Sequence, residues 1–325
     1  MPLITTSAIV GAAKQASKGT LAANPTFAHG VSGGSPISVE PSQAALEVTA
    51  AKRARTNVVR DNVAASAEIQ SPAYLKTLGL YLLGALGSDT VTGTGPYVHT
   101  YATNDLPYLS IFAKGIGANI EGIRDCKVDE LSLKWSNSKP LELSVKMQGT
   151  VFSYPSTFTP TTDETGSESW LVPIGGTFQY EVLGGALATA TVTGGELTIK
   201  NNISDVDGSA AVEAVDVIEG IQEHSLKLSV LPDDLQDFRK TVTGGAAGTS
   251  VASVVPYGQV SLAFKENNGT GQLAVTGTKI AFMTAFPDVN AKGDKIEIEL
   301  AGIPVVPAGG TAPLVYALTN GQATY

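Results

Sequence analysis

The stretch VDELSLKWSNSKPLELSVKMQGT, residues 128–150, decides the fold. It contains two runs that alternate apolar and polar side chains, which is the period of a half-buried β-strand because successive side chains project to opposite faces. The apolar positions are Leu131, Leu133 and Trp135, then Leu141, Leu143, Val145 and Met147. Residues 136–140 between the runs favour chain reversal. The stretch therefore predicts a β-hairpin whose polar face carries neither histidine nor an aromatic ring.

The composition also favours a mainly β protein. The chain has 325 residues, of which 43% are hydrophobic and 16% charged, and it is rich in glycine (35) and proline (17). Many short strands joined by turns are expected from such a composition. Apolar runs stay well short of the roughly 20 residues that a membrane helix needs, so we expect no membrane insertion.

Two further features concern where the chain is made. Residues 1–11 have no basic segment ahead of an apolar core, so no signal peptide is expected. The single cysteine, Cys126, excludes an internal disulfide framework. Both features are typical of a protein synthesised in a reducing cytoplasm.

Charge is divided unevenly along the chain, whose formal net charge is −9. Residues 1–150 hold 13 basic and 11 acidic side chains, a balance of +2, whereas residues 151–325 hold 8 and 19, a balance of −11. Binding nucleic acid requires cations that neutralise phosphates. The composition therefore argues against a nucleic-acid clamp, although it suits a surface along which a polyanion slides.

The pattern along the chain predicts one β domain between two extended arms. Residues 1–35 predict an N-terminal arm, residues 36–300 the β domain, and residues 301–325 a C-terminal arm. Within the domain, two related halves are expected at about 36–152 and 170–300, joined by a polar loop at 153–169.

One strong helix is expected near residue 71. Ser71 is a good N-cap and Pro72 suits the first helical position, and leucines and tyrosines follow at helical spacing. A second, shorter helix is expected after Asp233. The predicted fold is mainly β: two packed antiparallel sheets with one or two flanking helices and extended terminal arms.

A search for reactive groups finds no constellation with the right context. The G-x-S-x-G in residues 30–34 lies in a Pro-bearing segment, whereas a nucleophile elbow needs a strand before it and a helix after it. His29, His99 and His224 are far apart in sequence, and His224 is expected to be solvated. Residues 205–208 resemble the start of a calcium loop, but with Asp205 as the first ligand Ala210 stands where an EF-hand needs glycine. We therefore predict no catalytic, cofactor-binding or metal site.

Four motifs follow one another in the first half of the chain. They are A-L-G at 85–87, H-T-Y at 99–101, L-P-Y-L at 106–109 and the hairpin at 128–150. In this order they resemble the tail tube (major tail) proteins of long-tailed bacteriophages. The similarity is greatest over residues 35–150 and looser over 194–284.

The resemblance implies a virion protein that is made in the host cytoplasm and is not an enzyme. Its copies would form hexameric rings that stack into the hollow tube of a non-contractile tail, the conduit for DNA ejection. The implied partners are further copies of the chain and the tail terminator, tape-measure and baseplate proteins. DNA would pass through a net acidic bore without specific binding.

Two sets of candidate site residues follow from this resemblance. The polar face of the hairpin supplies candidate lumen residues, namely Ser132, Lys134, Glu142, Ser144 and Lys146. A basic cluster, at the expected tip of another hairpin, supplies candidate inter-ring contacts, namely Lys52, Arg53, Arg55 and Arg60.

Two other classes of function stay open from the sequence. A capsid-decoration, fibre or pilin-like adhesion subunit would have a similar Gly/Thr/Val composition. A carbohydrate-active β-sandwich enzyme would need paired carboxylates in an aromatic cleft. Only 6% of the residues are aromatic, which disfavours the enzyme.

Overall fold

The computed structural model describes residues 8–45, 58–115, 119–137, 139–189, 191–208, 211–232, 235–245, 247–284, 296–310 and 312–325. This described part is mainly β with two helices, which confirms the predicted fold class. The strands of the first half are β1 (Ile9–Lys14), β2 (Phe27–Gly30), β3 (Ser38–Ala45), β4 (Val58–Pro72), β5 (Gly87–Thr92), β6 (Tyr97–Thr103), β7 (Leu109–Lys114), β8 (Glu121–Ser136), β9 (Glu142–Gly149) and β10 (Val151–Ser153).

The remaining strands are β11 (Thr162–Asp163), β12 (Leu171–Glu181), β13 (Ala188–Thr189), β14 (Thr191–Lys200), β15 (Ser204–Val206), β16 (Asp216–Ile218), β17 (Glu223–Leu231), β18 (Tyr257–Glu266), β19 (Gln272–Thr284), β20 (Ile298–Pro304) and β21 (Val315–Asn320). The helices are α1 (Leu75–Leu86) and α2 (Gln236–Thr243).

A large antiparallel sheet folds over to make two packed layers. In the front layer, neighbouring strands follow the order β3, β4, β9, β8, β14, β17 and β20. β19 pairs with β20 and leads into the back layer. There β18, β12 and β13 follow on one side of β19, and β21, β6 and β5 on the other.

Aromatic side chains join the two layers. Trp135 of β8 meets Phe264 of β18 edge-on, with 5.1 Å between ring centroids. The ring centroids of His224 of β17 and Tyr316 of β21 are 6.3 Å apart. All four side chains are almost completely buried. The apolar sides of the alternating strands therefore face each other, as the sequence predicts, and their polar sides face outward.

Strand β8 belongs to two sheets. Its first part pairs with β7 and β10, and β7 in turn pairs with β1 and β1 with β2, which makes a smaller sheet. Its second part pairs with β9 and β14 in the front layer. The predicted hairpin is thus present as β8 and β9, with Leu133 opposite Leu143 and Ser132 opposite Ser144.

Helix α1 is present, but its predicted start is wrong. Ser71 and Pro72 are the last residues of β4, where they pair with β9, so Ser71 is committed to the sheet and cannot cap the helix. The helix begins at Leu75. Two of its first N–H groups are bonded instead by Glu164, whose carboxylate accepts from the N–H of Lys76 at 3.3 Å and from that of Thr77 at 2.8 Å. The same carboxylate accepts from the Thr77 hydroxyl at 2.6 Å. Glu164 lies in the predicted polar loop and is 3% exposed.

Parts of both predicted arms are sheet strands. β1 lies between β2 and β7, and β21 lies between β19 and β6. Val10 and Ala12 of β1 and Tyr316 and Leu318 of β21 are completely buried. In β1, Gly11 and Ala13 are buried as well, so the strand has no polar side and its sequence shows no alternation.

Candidate functional site on the outer face of the front layer

The outward face of the front layer carries a repeated five-residue pattern. Four strands contain Glu, a core residue, Ser or Thr, a core residue and Lys: ELSLK at 130–134, ELSVK at 142–146, ELTIK at 196–200 and EHSLK at 223–227. The second and fourth residues of each pattern are buried, which turns the first, third and fifth outward. We call the outward side chains of β4, β9, β8, β14 and β17 the banded face.

Antiparallel pairing converts this repeat into alternating charges. Lys134 lies opposite Glu142 on one side and opposite Glu196 on the other, and Glu196 lies opposite Lys227. This gives one row across the strands, which runs Glu142, Lys134, Glu196 and Lys227. Because the backbones of neighbouring strands are about 4.8 Å apart, each charged residue of the row has an oppositely charged residue directly beside it on the next strand.

A second row of alternating charges crosses the same strands. It runs Glu68, Lys146, Glu130, Lys200 and Glu223. Lys146 Nζ lies 2.9 Å from Glu130 Oε1, and this hydrogen bond raises the pKa of Lys146. Both side chains are partly exposed, so the pair contributes little to the free energy of unfolding.

An uncharged row separates the two charged ones. It runs Gln70, Ser144, Ser132, Thr198 and Ser225. Ser132 is the least accessible of the predicted lumen residues at 9% exposure, and its hydroxyl donates to Glu196 at 3.0 Å.

The banded face is nearly neutral as a whole. Its two charged rows contain five glutamates and four lysines, a net charge of −1, and no arginine. Charges that alternate at this spacing cancel at distances beyond the Debye length, about 8 Å at physiological salt. The described residues also contain no cluster of His, Cys, Asp and Glu that could hold a metal ion. The face is therefore suited to contact water and weakly charged surfaces rather than to concentrate a ligand.

The structure brings all five predicted lumen residues together on this face. Sequence reasoning missed their partners on β4, β14 and β17. The repeated five-residue pattern was the available signal, because it occurs in four segments of the sequence. The sequence alone does not show which of these strands are neighbours, because segments that pair can be far apart: residues 130–134 and 196–200 pair although 61 residues lie between them.

The predicted inter-ring residues are only partly described. Lys52, Arg53 and Arg55 lie outside the described residues. The hairpin expected to carry them is present as β3 and β4, in which Arg60 pairs with Gln43.

The histidines have structural partners. His29 Nδ1 donates to the Gly30 carbonyl at 2.8 Å and Nε2 accepts from the Tyr81 hydroxyl at 2.9 Å, and burial lowers the pKa of His29 to about 4. The prediction that His224 is solvated is wrong. Its side chain points to the core side of β17, where burial lowers its pKa to about 4.

Two other groups considered for chemistry are also held by the fold. Cys126 is completely buried, and burial raises the pKa of its thiol. Ser32, in the G-x-S-x-G segment, lies between β2 and β3, and its hydroxyl donates to the Gln70 carbonyl at 3.1 Å. No helix follows it there, so the segment is not a nucleophile elbow. Neither helix in the described part of the chain has the length and apolar character needed to cross a membrane.

Comparison with known proteins identifies the family. A search of curated proteins gave no match. The sequence profile of the phage tail tube proteins matches residues 5–312, nearly the whole chain. This chain therefore belongs to the phage tail tube protein family.

Proposed function

We propose that copies of this chain form hexameric rings that stack into the hollow tube of a long-tailed, non-contractile phage, and that the banded face lines the bore. Family membership makes the chain a structural component of the phage tail in the virion. The ring size, the tail type and the orientation of the banded face are the parts that we propose.

The alternating charge rows support this orientation. A bore through which DNA travels must be wet but must not hold phosphates, because each phosphate neutralised by a fixed cation adds to the affinity. On the banded face every lysine lies opposite at least one glutamate on a neighbouring strand, and Lys134 lies opposite both Glu142 and Glu196. A phosphate near Lys134 would therefore also be repelled by both carboxylates.

The proposed partners follow from this role. The chain would contact its own copies within and between rings, and the tail terminator, tape-measure and baseplate proteins at the ends and inside of the tube. DNA would pass without specific binding, and the protein would not insert into a membrane.

Imaging of the purified chain tests the assembly. Electron microscopy is expected to show hollow, ring-striated filaments with six copies per ring and the banded face toward the bore. Compact trimers or solid fibres would instead favour a decoration, fibre or pilin-like subunit. A density map in which the banded face points away from the bore would contradict the proposed orientation.

A charge-reversal pair tests the role of the face. Glu142→Lys with Glu196→Lys changes its net charge from −1 to +3, while Asp105→Lys with Glu168→Lys makes the same change at exposed sites elsewhere. Only the first pair is expected to slow DNA ejection from assembled particles, and to do so most at low salt. Equal effects of the two pairs would show that total charge, not the banded face, matters.

A further inference from the structure

The outward face changes character where the front layer turns into the back layer. Lys227 of β17 lies opposite Ala301 of β20, which lies opposite Met283 of β19. The row of alternating charges thus continues into two apolar residues. The next row toward the strand ends is Ile303 of β20, Ala281 of β19 and Tyr257 of β18.

These five side chains form one exposed patch, which we call the apolar corner: Tyr257, Ala281, Met283, Ala301 and Ile303. Met283 is 54% exposed, Ile303 50% and Tyr257 42%. Lys279 lies at its margin, with Nζ 4.8 Å from the centroid of the Tyr257 ring. Single exposed apolar side chains are ordinary, but neighbouring ones on adjacent strands mark contact surfaces.

The position of the corner indicates what covers it. The front layer has two lateral ends, the β3–β4 hairpin at one and the turn through β20 and β19 at the other. In the described residues β3 pairs only with β4, so its other edge is open. A ring of identical copies closes by a head-to-tail contact, in which one end of a copy meets the other end of the next.

The charges at the two ends are also complementary. The outward side of the β3–β4 end carries Glu40, opposite Ala64, and Glu68. The apolar corner is bordered by Lys279 and Lys227 and, on β20, by Glu299, so two lysines and one glutamate leave a net charge of +1 there. Opposite charges around an apolar centre orient two partners in one register.

We infer that the apolar corner is the docking surface for the β3–β4 end of the neighbouring copy in the ring. The inference rests on the proposed function, since it requires that copies close into rings. It assigns the lateral contact to opposite ends of the front layer, so that the banded faces of successive copies join into one continuous lining.

A substitution pair tests this contact. Ile303→Asp places a carboxylate in the corner, and Ile221→Asp makes the same change at a site that is 81% exposed and lies outside the corner. Light scattering and electron microscopy are expected to show dispersed subunits for Ile303→Asp and wild-type tubes for Ile221→Asp. Circular dichroism checks that both variants are folded.

A crosslinking experiment covers the case in which Ile303→Asp fails to fold. Glu40→Cys and Ile303→Cys are combined in one chain and treated with a short bis-maleimide; the native Cys126 is buried and does not compete. The double variant is expected to give a ladder of covalent oligomers that stops at the ring size, whereas each single variant gives none.

The outcomes separate the two proposals. If the wild-type chain forms rings, but Ile303→Asp also does or the double variant gives no ladder, the inference is wrong and the proposed function stands. If the wild-type chain forms no rings under any assembly condition, the proposed function fails and the inference fails with it.

Discussion

Replacing Gly79 of α1 by alanine is expected to destabilise the protein, although alanine is the better helix former. Gly79 is buried, and a Cβ built on it would lie 2.1 Å from Cζ and 2.4 Å from Cε2 of Tyr325. The Tyr325 ring cannot easily move away. Its centroid lies 4.8 Å from that of His99 and 5.4 Å from that of Phe27, and its hydroxyl accepts from Asn320 Nδ2 at 2.6 Å.

Two opposing terms set the magnitude. In a helix interior, alanine in place of glycine stabilises by about 1 kcal/mol. The methyl group, however, displaces the Tyr325 ring, and loss of a large buried aromatic side chain costs roughly 3 to 5 kcal/mol. Tyr325 is not completely buried, so the lower value of about 3 applies. The net expectation is that Gly79→Ala lowers the free energy of unfolding by about 2 kcal/mol.

A double-mutant cycle measured by urea unfolding of dispersed subunits checks this reasoning. With Tyr325→Ala already present, the methyl group has room, so Gly79→Ala is expected to stabilise by about 1 kcal/mol. The sign of the effect should therefore reverse between the two backgrounds. If Gly79→Ala destabilises by the same amount in both, the contact with Tyr325 is not the cause and the argument is refuted.

Further predictions concern three buried polar groups. Glu164→Ala is expected to lower the free energy of unfolding by about 2 kcal/mol, because two donors of Thr77 lose their acceptor. Burial raises the pKa of Glu164, so the folded state binds a proton at this carboxyl group more tightly than the unfolded state does. In urea unfolding at a series of pH values, the free energy of unfolding of the wild type should therefore rise relative to that of Glu164→Gln as pH falls through the raised pKa. For His29, burial lowers the pKa from 6.5 to about 4, so its contribution of about 3 kcal/mol is complete above 6.5 and lost as pH falls to about 4. His29→Gln should flatten the pH profile by that amount. Asn201→Ala is expected to cost about 3 kcal/mol in urea unfolding, because Asn201 Nδ2 donates to the buried carbonyls of Ala85 and Val128; a loss below about 0.5 kcal/mol would contradict it.

Features of the fold that depend on nearby residues could be predicted. The β8–β9 hairpin and the existence of α1 follow from local periodicity. The alternation at 131–135 determines which side of β8 is buried, and the leucines after residue 74 recur at helical spacing, although α1 is buried on nearly all sides. The start of α1 could not be predicted in this way. Ser71 has the chemistry of a cap, but its pairing in β4 opposite Leu143 outweighs that preference.

The residues of the candidate site also fall into two groups, those whose placement the local sequence predicts and those that only the folded structure brings together. The sequence alone determined that Ser132 and Lys134 share the polar side of one strand with a period of two, and that Glu142 shares another with Ser144. Only the tertiary structure decided that Glu196 and Lys227 continue the row, and that Glu164 reaches Thr77 from 87 residues away. The physical reason is that alternation within a strand determines on which side of the sheet a side chain lies. Its neighbours on other strands are determined by the packing of apolar faces, which brings together strands from distant parts of the chain.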